Sequence, residues 1–232
     1  MEAYSAVLSF FQTGGLFMYP IAVVLTIGLV ITLERWFFLS AAKFTNRSAY
    51  NKLRPYIENR QFDNLLAGAR ASSAPVSKII VAALQVMPVS RQRDDVVAAM
   101  QEAAFETLPR LEKRTGYLSV LANVATLLGL LGTIIGLIAA FTAVADADPA
   151  QKATLLSKSI SVAMNTTAFG LISAIPLLLF HALLQNKTQQ IIESLDVVSI
   201  KFVNAFCTPA GAQQREGVAS QAASKQSVKS AA

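Results

Sequence analysis

Charge is what this chain has least of. Asp, Glu, Lys and Arg make up 15% of its 232 residues, against about 25% in a typical soluble domain. Three stretches, 16–33, 115–145 and 159–186, hold none of them. Such runs are expected to lie in lipid, and a single soluble catalytic domain is excluded. Cysteine and histidine are nearly absent too. One Cys, Cys207, rules out an internal disulfide framework and a Cys-based zinc site. With one His, His181, no metal cluster can be assembled. There is no HExxH and no Ser/His/Asp arrangement, so neither catalytic residues nor a cofactor is expected. The net charge of +6 comes without a nucleic-acid-binding motif. It reads as cytoplasmic loops obeying the positive-inside rule.

The first run has eighteen residues, about 27 Å as a helix, enough to cross a hydrocarbon core of about 30 Å with little to spare. Glu34, Arg35 and Trp36 close it, and Trp is a typical interface anchor. No Lys or Arg precedes Arg35, so the basic region of a signal peptide is missing and a retained helix is expected. The other two runs exceed what a bilayer needs, so the helices tilt or continue beyond it. One continuous helix from about Arg91 through Phe141, bent at Pro109, is expected.

Basic residues set the orientation. Residues 43–114 carry twelve against seven acids, whereas Asp146, Asp148, Lys152 and Lys158 balance between the second and third runs. The expected layout is a periplasmic segment at 1–15, a first transmembrane helix at 16–40 and a cytoplasmic helical domain at 41–114. A second transmembrane helix at 115–145, a periplasmic loop at 146–158 and a third transmembrane helix at 159–187 follow. A cytoplasmic helical extension at 188–207 and a disordered tail at 208–232, rich in Ala, Ser and Gln, complete it. The fold class is thus an all-α integral membrane protein with three transmembrane helices extending into a helical cytoplasmic domain. Pro55, Pro75 and Pro88 punctuate that domain. Glu102, Glu106, Arg110, Lys113 and Arg114 put acids before bases along one helix, which reads first as helix support and second as contact with a partner's cytoplasmic tail.

The second and third runs are studded with small and hydroxyl residues. Thr126 and Thr133 are seven apart, with Gly129 between them, and Gly132 and Gly136 make a small-xxx-small step. Ala163, Thr167, Gly170 and Ala174 form one stripe on the third run. Small residues let helices approach closely in lipid, and hydroxyls hydrogen-bond across the contact. Ordinary packing explains much of this, and a hydroxyl row beside glycines can also line a narrow polar path. The glycines are no phosphate loop, since the Lys-Ser/Thr ending is missing. Proton relays use an intramembrane ionisable residue. With none in any run, another chain must supply the carboxylate if protons pass. His181, near the cytoplasmic end of the third run, reads more simply as an interfacial side chain than as a relay.

The runs LLGLLGTIIGLIAAF and NTTAFGLISAIPLLL, with Glu34-Arg35-Trp36, resemble the MotA/TolQ/ExbB proton channel family, closest to its ExbB/TolQ branch, over about residues 10–205. The resemblance implies a bacterial inner-membrane motor subunit, multi-pass and driven by the proton motive force. It implies a homo-oligomer, a pentamer, around an ExbD/TolR-like single-span subunit with a membrane aspartate, and a TonB- or TolA-like client. It implies a proton path lined by Thr133 and Thr167. From the residues themselves, Thr126, Asn165 and Thr166 are weaker candidates for the same lining, and Gly129, Gly132, Gly136, Gly170 and Ala174 are expected to pack the helices. Two positions depart from the family: Val162 stands where many members have Glu, and Thr126 where many have Pro. Val162 keeps a second reading open, a non-conducting scaffold or signalling subunit of such a complex.

Overall fold

A computed structural model describes residues 14–90, 92–145 and 147–206. Cys207, the tail expected at 208–232 and most of the segment expected at 1–15 lie outside the described residues. Among the described residues six helices follow in order: α1 Met18–Glu58, α2 Phe62–Arg70, α3 Pro75–Val86, α4 Arg93–Glu112, α5 Thr115–Ala145 and α6 Pro149–Phe206. No strand occurs among the described residues. Three helical runs, Met18–Glu58, Arg93–Ala145 and Pro149–Phe206, are long and apolar enough to cross a membrane. The all-α membrane architecture expected from the charge-free runs is the one found.

The chain forms two compact units. The first takes the chain up to Leu39 together with Glu112–Thr188, and the second takes Ser40–Leu111 together with the chain from Gln189 onward. In the first unit α1, α5 and α6 pack through small residues: Ala122, Ala125, Ala163 and Ala174 are buried together with Leu118 and Leu177. The outer faces carry Ile134, Ile138, Ile172, Leu179 and Phe141, the last 66% exposed. Leaving such a side chain in water forfeits about 1.5–3 kcal/mol, whereas lipid removes that penalty. The arrangement is the one a bilayer selects. At one end of these apolar faces, Arg114 Nη1 donates to both carboxylate oxygens of Glu34, at 2.7 and 2.8 Å, and Lys187 Nζ lies 3.1 Å from the centre of the Trp36 ring.

The second unit is a water-type core. Leu53, Ile57, Leu65, Ile79, Ile80, Met100 and Phe202 cluster at its centre. Asn46 is the buried polar residue that organises it. Its Oδ1 accepts the Val76 backbone N–H at 2.9 Å, and its Nδ2 donates to Ser194 Oγ at 3.4 Å. The first turn of a helix leaves its N–H groups without partners inside the helix, and Asn46 of α1 supplies one for α3.

Continuity from about Arg91 through Phe141, expected from the sequence, is broken. α4 stops at Glu112 and α5 starts at Thr115, while Pro109 lies inside α4. Arg114 has φ 67°, a left-handed conformation that costs a non-glycine residue about 1–2 kcal/mol and cannot continue a right-handed helix. Its carbonyl accepts the Tyr117 N–H at 3.2 Å to begin α5. Pro55 also differs from its expected role as a breaker. It sits inside α1, which ends a few residues on at Glu58, before Arg60 at φ 52°. Pro75 opens α3, where a missing N–H costs nothing. α6 already begins at Pro149, so most of the 146–158 connection is helical.

Candidate functional site

The site is the seam where α5 and α6 run antiparallel. Gly136 faces Ala163, Gly132 faces Thr166, and Gly129 faces both Thr167 and Gly170. A Cβ on Gly129 would lie 3.3 Å from the Cα atoms of Thr167 and Gly170, and one on Gly170 would lie 2.8 Å from the Ala125 carbonyl oxygen. The glycines therefore let two backbones touch, and any side chain between them would push the helices apart.

That close approach brings two hydroxyls together. Thr133 Oγ1 and Thr167 Oγ1 are 2.9 Å apart, across the seam. Thr167 Oγ1 donates to the Gly129 carbonyl at 2.8 Å. Thr133 Oγ1 has the Leu130 carbonyl at 2.8 Å and the Gly129 carbonyl at 3.3 Å. Both threonines are half-buried. No Asp, Glu, Lys or Arg belongs to the charge-free stretches that build the seam, so the pair is polar but uncharged.

The structure separates the residues that the sequence groups with this pair. Thr126 stands a turn or two away, with its hydroxyl donating to its own helix at Ala122 O, 3.1 Å. Asn165 is half-buried and makes no hydrogen bond among the described residues. Thr166 is 2% exposed. Its Oγ1 has the Gly14 carbonyl at 2.6 Å and the Val162 carbonyl at 2.9 Å, and its methyl fills the space above Gly132. Thr166 thus holds the turn before α1 onto α6. Ala174 is buried on the same stripe. His181 is half-buried and makes no hydrogen bond among the described residues.

Two features are not placed by sequence spacing, although a Gly-Gly pair does mark a turn. The first is the Gly14–Gly15 turn, which docks on α6. Gly15 has φ +75°, and a Cβ there would lie 3.0 Å from Val162 Cγ1. Position 162 thus lies beside a backbone turn, half-buried at the edge of an open cavity that Gly15, Ser161 and Val162 line. The second is Ser173, fully buried with a hydroxyl that has no hydrogen-bond partner among the described residues. It lies one residue before Ala174 of the small-residue stripe, and its burial could not be read from spacing.

Comparison with known proteins addresses the same region. A profile described as the MotA/TolQ/ExbB proton channel family matches residues 71–197. A biopolymer transport ExbB homologue from Methanothermobacter thermautotrophicus is 30% identical over 199 residues, covering 84% of this chain and 68% of that protein. An ExbB-like biopolymer transport protein from Synechocystis is 25% identical, covering 78% of this chain and 90% of its own length. The Tol-Pal system protein TolQ of Haemophilus influenzae is 30% identical over 112 residues, 47% of this chain and 46% of that one. The matched region of the profile spans all of α5 and most of α6, the two helices that build the threonine seam, and the chain belongs to the MotA/TolQ/ExbB proton channel family, on its ExbB/TolQ side.

Proposed function

We propose that this chain is the ring-forming subunit of an inner-membrane motor driven by the proton motive force. The observation that carries the reading is the Thr133–Thr167 pair, a polar contact inside a glycine seam that has no ionisable group of its own. A conducting site of that kind needs a carboxylate from another chain. The partner is an ExbD/TolR-like single-span subunit with a membrane aspartate, held inside a homo-oligomer, a pentamer. The threonine hydroxyls bind that carboxyl group or its water and do not themselves carry the proton. The N-terminus faces the periplasm and the C-terminus the cytoplasm, following the basic residues of 43–114. The energised client is a TonB- or TolA-like envelope protein.

The test is proton flux into vesicles holding the chain with its single-span partner. Thr167→Ala and Thr133→Ala should lower flux while the complex still co-purifies. Full flux in both would remove these threonines from the path. Val162 favours a second reading, a scaffold or signalling subunit that has lost conduction. Flux no greater than that of a partner Asp→Asn control would establish it in place of the first.

A further inference from the structure

A groove in the second unit plays no part in the seam. The end of α2, α3 and α4 border an open groove of about 410 Å³, within the range of ligand clefts. Its floor is small and apolar, with Ala69, Val81 and Ala82. Arg70, Lys78 and Arg110 stand around it, together with Glu106. Arg70 and Lys78 are exposed and form no ion pair among the described residues. This distinguishes them from Arg54 and Arg114, whose charges are met by Glu58 and Glu34. No acidic residue stands in the first turn of α3 to offset Lys78.

We propose that this groove binds an acidic stretch of another polypeptide, with its Asp or Glu side chains reaching Arg70 and Lys78 over the apolar floor. Two features select a peptide over a compact phosphate. Arg70 and Lys78 come from different helices, so they meet charges spread along a chain better than a single concentrated one. Glu106 lines the same groove. Its carboxylate repels any anion placed beside it, but a peptide can turn a backbone N–H toward Glu106 while its own carboxylates reach Arg70 and Lys78. The proposal is independent of the motor reading.

The test uses the full-length protein in lipid nanodiscs and a fluorescein-labelled peptide of alternating Glu and Ala, with a Gln-for-Glu peptide as reference. Fluorescence anisotropy should show the Glu peptide binding the wild type more tightly than the reference. Arg70→Gln with Lys78→Gln should weaken it about tenfold. Arg47→Gln with Lys52→Gln, the same loss of charge elsewhere on the unit, should leave it unchanged. Equal loss in both pairs, no preference for Glu over Gln, or displacement by inorganic phosphate at the peptide's own affinity would overturn the proposal. In cells, a photoreactive benzoylphenylalanine replacing Gln85 should capture an Asp- or Glu-rich segment of a different protein, and the Arg70/Lys78 variant should lose that capture. Capture of lipid alone, of a second copy of this chain, or of nothing counts against it.

Discussion

At Gly170 the Ala125 carbonyl oxygen stands 2.8 Å from where a Cβ would be, and Gly129 Cα stands 3.0 Å away. Both are backbone atoms and cannot rotate aside. Gly170→Ala should therefore force α5 and α6 apart and lower the stability of the detergent-purified protein by about 1–3 kcal/mol. Gly116→Ala meets nothing within 4 Å and should be neutral or stabilising by up to about 1 kcal/mol; equal melting temperatures for the two variants would contradict this account of the seam. Gly132 gives a finer check, because the atom it would strike first is the Thr166 methyl. Thr166→Ser removes that methyl and keeps the hydroxyl. The double variant with Gly132→Ala should be more stable than the sum of the single changes predicts, as a double-mutant cycle would show. At this scale the sequence was a good guide to type and a poor guide to partner. The stripe of Ala163, Thr167 and Gly170 is legible from helical spacing, and it does meet the glycines of α5. That Thr166 spends its hydroxyl on Gly14, 152 residues away, leaves no trace in local pattern.

The helices show the same division. α5 and the stretch 159–186 of α6 follow from the absence of charge, because lipid tolerates almost nothing else. The break between α4 and α5 was missed because Arg114 takes the left-handed position where glycine or asparagine would have announced it. The tie between α1 and α3 was missed as well, since Asn46 looks like any polar residue of a helical surface until its carbonyl is seen on Val76. Asn46→Ala should leave that N–H buried without its partner, at a cost of about 1–3 kcal/mol. Hydrogen exchange checks it: the amides of the first turn of α3 should exchange faster while those of α5 keep their protection. Uniform loss of protection across both helices would mean that Asn46 supports the whole fold and not one helix start.

For the whole molecule, orientation is the property most open to a direct measurement. Lys52 lies in the strongly basic stretch 43–114, and Lys152 lies between the second and third apolar runs. In a Cys207→Ser background, Lys152→Cys should react with a membrane-impermeant maleimide added to spheroplasts, and Lys52→Cys should react only after the membrane is opened. The reverse pattern would invert the assignment. An orientation can be expected from the sequence because basic residues are unevenly distributed along the chain. Assembly was not, because the outward faces of Ile134, Ile138 and Phe141 suit lipid and a neighbouring subunit equally well.

The threonine pair has a consequence when hydrogens are counted instead of oxygens. Two hydroxyl hydrogens serve four short contacts, so two chains of bonds compete. In one, Thr133 donates to Thr167 and Thr167 donates to Gly129. In the other, Thr167 donates to Thr133 and Thr133 donates to Leu130. The pair therefore has a direction, and two hydroxyl rotations reverse it without moving either helix. In neither direction is a hydrogen left over. A protonated carboxyl group can donate to a hydroxyl oxygen with no bond broken, whereas a carboxylate anion must first draw a hydrogen away from the neighbouring threonine or from a backbone carbonyl.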